Sequence, residues 1–263
     1  MRAQRARACI SSMTRENPLT KLAHHKTHSL RTRARLLQLA LFRRYRNLPH
    51  EYVAAKTPPV EYGWGNFFDL FPQLRTWPER PRPEFAALCK SSDDNYESSE
   101  MDTAQLLYDL TRLLRAKRVI EVGIYRGAGS LHLAQGISDN GGGELHLVDL
   151  ELERLEQVSA KIQQTGMNVQ PITHCGDCVA VTKRDKFPMA DFIFLDANHF
   201  YLPLYDEIGA YWALVAAGGL LAIHDTILFD GARRRANELF ENGYPVCTIA
   251  TSLGAGISLI AKR

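Results

Sequence analysis

Between Arg118 and Ser130 the chain reads Arg-Val-Ile-Glu-Val-Gly-Ile-Tyr-Arg-Gly-Ala-Gly-Ser, and few folds accommodate such a run. Its apolar residues Val119, Ile120 and Val122 are interrupted only by Glu121 and give way to glycines. A helical pattern then begins with Leu131, Leu133, Ala134 and Ile137. The order predicts a buried strand, a tight turn and a helix N-terminus. Glycines at 123, 127 and 129 let the backbone turn sharply and approach a ligand with no Cβ in the way. The first N–H groups of the helix then face whatever sits there. An ordinary βα turn in a parallel sheet has the same local signature, so the rest of the chain must decide.

From Asp102 onward, helix and strand patterns alternate. Ala104, Leu106, Leu107, Leu110, Leu113 and Leu114 mark a first helix, and strand 118–123 leads into helix 128–138. Strand 144–149 precedes the charged helix 151–165, and strand 169–174 ends at Cys175-Gly176-Asp177. Strand 190–195 precedes helix 202–216, and Gly218-Gly219 opens strand 220–224. Helix 230–242 is followed by two strands, about 245–250 and 256–262, with no helix between them. Apolar strands alternating with helices predict an α/β, doubly wound, mostly parallel seven-stranded sheet. The closing helix-less pair predicts an antiparallel C-terminal hairpin at one edge.

This domain, 101–263, is preceded by two segments of different composition. Residues 1–50 hold 12 Lys and Arg against the single acid Glu16 and carry +11; the whole chain carries +3, which leaves −8 for the other 213 residues. The basic excess thus belongs to a leader, 1–48, helical or disordered, and not to the main domain. A solvated leader, a mitochondrial-type transit peptide and a basic arm for nucleic acid or anionic membrane share this composition. Within it, Arg31 to Arg46 has the pattern of a basic amphipathic helix. Residues 49–100 gather prolines with Trp64, Trp77, Phe67, Phe68 and Phe71, too aromatic for a free linker, and predict an ordered arm wrapping the main domain. No run of about 18 apolar residues occurs, which argues against a membrane span. Five scattered cysteines point to a reducing, cytoplasmic compartment, with the mitochondrion as the alternative if the leader is a transit peptide. Cys175-Gly-Asp-Cys178 has no second pair at zinc-ribbon distance.

In open α/β sheets, ligands bind outside the carboxyl ends of the strands. Here those ends carry the glycine turn, then Asp149, Gly176-Asp177, Asp196-Ala-Asn-His199 and His224-Asp225-Thr226. An acid after the second strand suits a ribose diol. Each acid alone reads equally as a helix cap; five polar termini on one edge, in register with a glycine turn, make a site. The order Gly-x₃-Gly-x-Gly argues against a nicotinamide cofactor, whose turn reads GxGxxG.

These residues together resemble the class I S-adenosylmethionine-dependent methyltransferases, and more narrowly the small-molecule O-methyltransferases with the motif Glu-x-Gly-x₃-Gly-x-Ser/Gly. Asp196-Ala-Asn-His199-Phe-Tyr201, followed by Gly218-Gly219 and His224-Asp225, resembles a bacterial subgroup that includes macrolide-sugar O-methyltransferases. The resemblance spans roughly 100–263 and implies a Rossmann-like methyltransferase fold with S-adenosylmethionine as cofactor. It implies that Glu121, Gly123, Tyr125, Gly127 and Ser130 form the cofactor turn, with Asp149 at the ribose, Gly176 and Asp177 at the adenine, and Asp196 beside it. Metal-dependent relatives hold Mg²⁺ with acids after the fourth and fifth strands, here Asp196 and Asp225. Thr226 stands where catechol-type relatives have Asn, and His224 where sugar-type relatives often have Glu. An oxygen-rich pair suits a hard cation that acidifies a hydroxyl. His199 is the expected general base, because its ordinary pKa lies near working pH. A surface histidine opening a helix is its bland alternative, and Tyr201 reads as a packing residue or pocket wall.

The expected reaction is direct in-line methyl transfer to a phenol, catechol or sugar hydroxyl of a small-molecule acceptor. Two rivals stay open. One is a nucleic-acid or protein methyltransferase using the basic leader; the acidic catalytic half and the missing Asn/Asp-Pro-Pro-Tyr-type motif speak against it. The other is a cofactor-binding protein of this fold that does not methylate. A homo-oligomer is compatible with the composition.

Overall fold

The computed structural model of the chain describes residue 99 and residues 101–249, 251 and 255–263. The basic leader lies outside the described residues, as does the Pro/aromatic arm except for Ser99. The elements are α1 (Met101–Leu113), β1 (Arg118–Val122), α2 (Ala128–Asp139), β2 (Gly143–Asp149), α3 (Leu152–Gln164), β3 (Val169–Cys175), α4 (Cys178–Arg184), β4 (Ala190–Leu195), α5 (Tyr201–Trp212), β5 (Val215–His224), α6 (Asp230–Glu241), β6 (Val246–Ile249) and β7 (Ile257–Ala261).

The seven strands form one sheet in the order β3-β2-β1-β4-β5-β7-β6. β1 lies between β2 and β4 and is parallel to both, as β2 is to β3 and β4 to β5. β7 is antiparallel to both β5 and β6. The antiparallel edge and the doubly wound parallel remainder match the architecture expected from the sequence.

Alternation along each strand separates the core into two layers. Val119, Leu145, Leu147, Phe192, Phe194, Leu220 and Leu259 face the layer that also holds buried residues of α1, α2 and α3. Ile120, Val122, Ile193, Leu195, Leu221 and Ile223 face the layer built with α5 and α6. Each such side chain, fully withdrawn from water, stabilises the fold by roughly 1.5–3 kcal/mol. The order in which strands are added reverses between β1 and β4: β1 leads to β2 and β3 on one side, β4 to β5 on the other. The crevice above these two strands is where an open α/β sheet takes its ligand.

Three elements differ from expectation. α4 is absent from the sequence reading because its seven residues bury only Val181 and carry no long apolar period. Its start signal was present: Asp177 accepts the backbone N–H groups of Val179 and Ala180 as a helix cap. Helix α5 ends at Trp212 rather than 216, and β5 begins at Val215, before the glycine pair. Val215 fits a helical apolar period, but its backbone pairs with Ala190. The register between β4 and β5 then slips before Phe192 meets Leu220, and Gly218 takes φ +77° within the slip. Among the described residues no helix is long and apolar enough to cross a membrane.

Candidate active site

The turn after β1 touches the loop after β4. A Cβ at Gly123, where φ is +86°, would lie 2.7 Å from the backbone N of Ala197, so only glycine lets the two loops meet. Asp196 N–H continues the contact by donating to the carbonyl of Val122. Gly127, at φ +87°, caps α2 and packs on Val158. Tyr125 also has positive φ, and the guanidinium groups of Arg126 and Arg154 lie 5.3 and 5.1 Å from its ring centroid.

Two carboxyl groups hold this turn. Asp149 Oδ2 accepts from Ile124 N–H at 3.2 Å and Oδ1 from Glu151 N–H at 2.9 Å, which ties the β1 turn to the turn after β2. Glu121 is 2% exposed and takes a hydrogen bond from the Ser130 hydroxyl. It is the one buried polar residue of β1, on the face toward α2, where Gly129 leaves it room. Burial, reinforced by the charges of Asp196 and Asp149, pushes its pKa up to about 8. Glu121 therefore carries a proton at neutral pH.

The strand ends of β4 and β5 carry a compact group of acids and imidazoles. His224 Nδ1 lies 3.0 Å from Asp196 Oδ1 and 3.7 Å from Asp225 Oδ1. His199 Nε2 lies 3.3 Å from Asp225 Oδ2, and its ring stacks on Phe229 at 4.6 Å. One ligand atom from each of Asp196, His199 and Asp225 falls within 4.8 Å of the others. Asp225 adopts φ +61°, and Ser99 donates to Asp196 Oδ2 at 3.3 Å. Two carboxylates and one imidazole nitrogen are a donor set for a divalent cation. The same atoms also form two carboxylate–histidine pairs that orient the rings for proton transfer.

The predicted residues fare differently. Asp196, His199 and Asp225 come together at one place, next to the turn of Gly123. Thr226, which follows Asp225, is buried, and its hydroxyl accepts from Ser258, which in turn bonds Thr248. Asp177 is engaged as the cap of α4, with Gly176 before it at φ +148°. Tyr201 donates its hydroxyl to Glu238, with Arg234 over its ring at 4.3 Å, and so links α5 to α6. Sequence reasoning did not place Ser99 at Asp196. Ser99 had no signal, since the contact joins residues 97 positions apart.

The model of the O-methyltransferase family matches residues 87–243. Caffeoyl-CoA O-methyltransferase 1 of Eucalyptus globulus is 26% identical over 167 residues, covering 61% of this chain and 65% of that protein. Caffeoyl-CoA O-methyltransferase 2 of Petunia hybrida is 26% identical over 168 residues, 59% of this chain and 65% of that one. The chain thus spans about 65% of the length of the curated relatives it matches. The fold resembles the O-methyltransferase TomG of Streptomyces achromogenes in complex with SAM (TM-score 0.51, 21% identity, 63% of this chain and 82% of that chain). It also resembles the O-methyltransferase of Bacillus cereus in complex with SAH (TM-score 0.54, 16% identity, 81% and 96%). With a family match over more than half its length and the methyltransferase arrangement of strands, the chain belongs to the O-methyltransferase family.

Proposed function

We propose that this chain transfers a methyl group from S-adenosylmethionine to a hydroxyl of a small molecule. The observation that carries the reading is the meeting of Asp196, His199 and Asp225 beside the glycine turn, at the point where the strand order reverses. The residues fit the cofactor by chemistry: an acidic crevice suits a sulfonium cation, and Asp149, only half-buried, ends β2 where a ribose diol is held in such sheets. Gly123, Tyr125, Gly127, Asp149 and Gly176 would hold it, with Glu121 and Ser130 supporting the turn from beneath and Asp177 fixing the loop after β3. When bound, the cofactor supplies an electrophilic methyl group for in-line displacement.

The chain's own part is to position the acceptor and take its proton. His199 Nδ1 is shielded from solvent and Nε2 faces Asp225 Oδ2, so the imidazole and carboxylate act as a pair through which the acceptor's proton would be taken up. Asp225 fixes the ring from one side and Phe229 from below. Asp196 is held in turn by His224 and Ser99. A specific observation favours a second form of this chemistry: Asp196, Asp225 and His199 would hold a divalent ion such as Mg²⁺. Such an ion acidifies a bound hydroxyl. The acceptor class follows the relatives, which are named for caffeoyl-CoA, an aromatic diol. The free thiols of Cys178 and Cys247 fit a reducing compartment, and the cytoplasm is the place proposed.

The test is a mass-spectrometric screen of caffeoyl-CoA, simple catechols, phenols and sugars for products heavier by one CH₂. His199→Ala is expected to lower turnover by roughly 10²–10⁴-fold as a lost general base, with cofactor affinity retained. EDTA abolishing turnover, with recovery on Mg²⁺, assigns the cluster to a metal; full activity after EDTA assigns it to proton transfer alone. Full activity of His199→Ala without metal rejects the base.

A further inference from the structure

Beneath the loop that carries Asp196 and His199 lies a carboxyl group that the chemistry above does not use. Glu207 is on α5, fully buried, and its Oε2 accepts from Asn198 Nδ2 at 2.8 Å. The same Asn198 amide lies 3.4 Å from Cys178 Sγ, at the first residue of α4. Tyr211, one turn further along α5, donates its hydroxyl to the Cys178 carbonyl at 2.9 Å. A leucine at 207 would pack into an apolar layer at no electrostatic cost, whereas a carboxyl costs several kcal/mol unless it is neutral or paired. The side chain therefore needs a reason to be there, and its hydrogen bond to Asn198 is the reason the geometry offers.

Asn198 stands two residues after Asp196 and one before His199. Turned inward, it fixes a loop whose other faces are already determined: Ala197 abuts Gly123, and Asp196 N–H bonds Val122. We propose that Glu207 is a positioning residue, holding Asn198 from below and thereby setting where Asp196 and His199 stand, while the Cys178 and Tyr211 contacts tie the same helix to the loop after β3. The proposal rests on reading Asp196 and His199 as the acceptor site. Burial, with Asp177 and Asp196 nearby, pushes the Glu207 pKa up to about 8, so at neutral pH the group is an uncharged acid. Glutamine is then its close isostere, with a carbonyl that still accepts from Asn198.

The experiment compares Glu207→Gln, Glu207→Leu and Asn198→Ala in the full chain. It reads kcat on a catechol acceptor, affinity for S-adenosylhomocysteine by calorimetry, and the His199 ring resonances by NMR, assigned by difference from His199→Ala. The leucine and alanine variants are expected to lose about 10- to 100-fold in kcat, the scale of a misplaced reacting group. They should also move the His199 resonances while cofactor affinity is retained. Glu207→Gln should restore both. A folded Glu207→Leu with wild-type kcat and unmoved resonances overturns the proposal, as does a glutamine variant that falls as far as leucine. If Glu207→Leu fails to fold, Asn198→Ala at its half-exposed loop position decides by the same two readouts. If the wild type methylates nothing on the panel, the functional reading fails and the His199 resonances alone decide this one.

Discussion

Asp149 accepts two backbone N–H groups, one from each neighbouring turn. Its removal is therefore expected to weaken the cofactor site and to loosen the frame around it. Asp149→Ala should lose roughly 1.5–3 kcal/mol of S-adenosylmethionine binding, the range for hydrogen bonds to a charged group, read by calorimetry. Unchanged affinity in a folded variant would remove Asp149 from the ribose position. Glu121 gives a prediction of opposite character. Below about pH 4.5 both the folded and unfolded chains hold its proton; as pH rises from about 4.5 to 8 the unfolded chain releases it first, and native stability falls. Glu121→Gln removes this titration while keeping an acceptor for Ser130, so its melting temperature should gain on the wild type through that window and level off above pH 8. A difference that does not vary with pH would show that Glu121 is ionised in the fold. At this scale the sequence was legible where chemistry is unusual: an acid inside an apolar strand, or a histidine among strand-end acids. It was silent on partners. Nothing in the spacing of Thr226 tells that its hydroxyl turns toward Ser258, because that depends on β7 lying beside β5.

The turn after β1 and the loop after β4 form one unit because glycine stands at 123. Gly123→Ala combines a disfavoured φ of +86° with a Cβ 2.7 Å from the Ala197 backbone, and both loops would have to move. We expect a loss of about 1–3 kcal/mol of stability, the scale of a strained backbone position, together with loss of cofactor binding; denaturant unfolding and calorimetry read the two. A variant as stable as the wild type would mean the loops part readily. Long amphipathic and apolar periods made most elements readable from sequence, with ends displaced by a residue or so. The failures have physical causes: α4 is too short for a period to show, and β5 begins inside a run whose apolar spacing a helix shares. In both, a tertiary contact decides, the Asp177 cap in one and the Ala190 pairing in the other.

At the scale of the molecule, two apolar layers on either face of the sheet are built from residues of 106–260. The acidic balance of that region contrasts with the +11 of residues 1–50. Deleting residues 1–30 is accordingly expected to leave the melting temperature and cofactor affinity unchanged, since a chain so rich in Arg and so poor in acids and large apolar groups has little to bury. A large fall in melting temperature would show that this segment packs on the domain. The fold class was the most legible feature, because the alternation of strand and helix repeats along the whole domain and any one misread element leaves the pattern intact. The order β5-β7-β6 has a further consequence. Among the described residues β6 pairs only with β7, which follows it in the chain. A chain cut off before Ile257 would keep β5 but lose the strand that joins it to β6, leaving two unpaired apolar strand edges. Such a truncated product is expected to aggregate, or to be held by a chaperone, where the full chain is not.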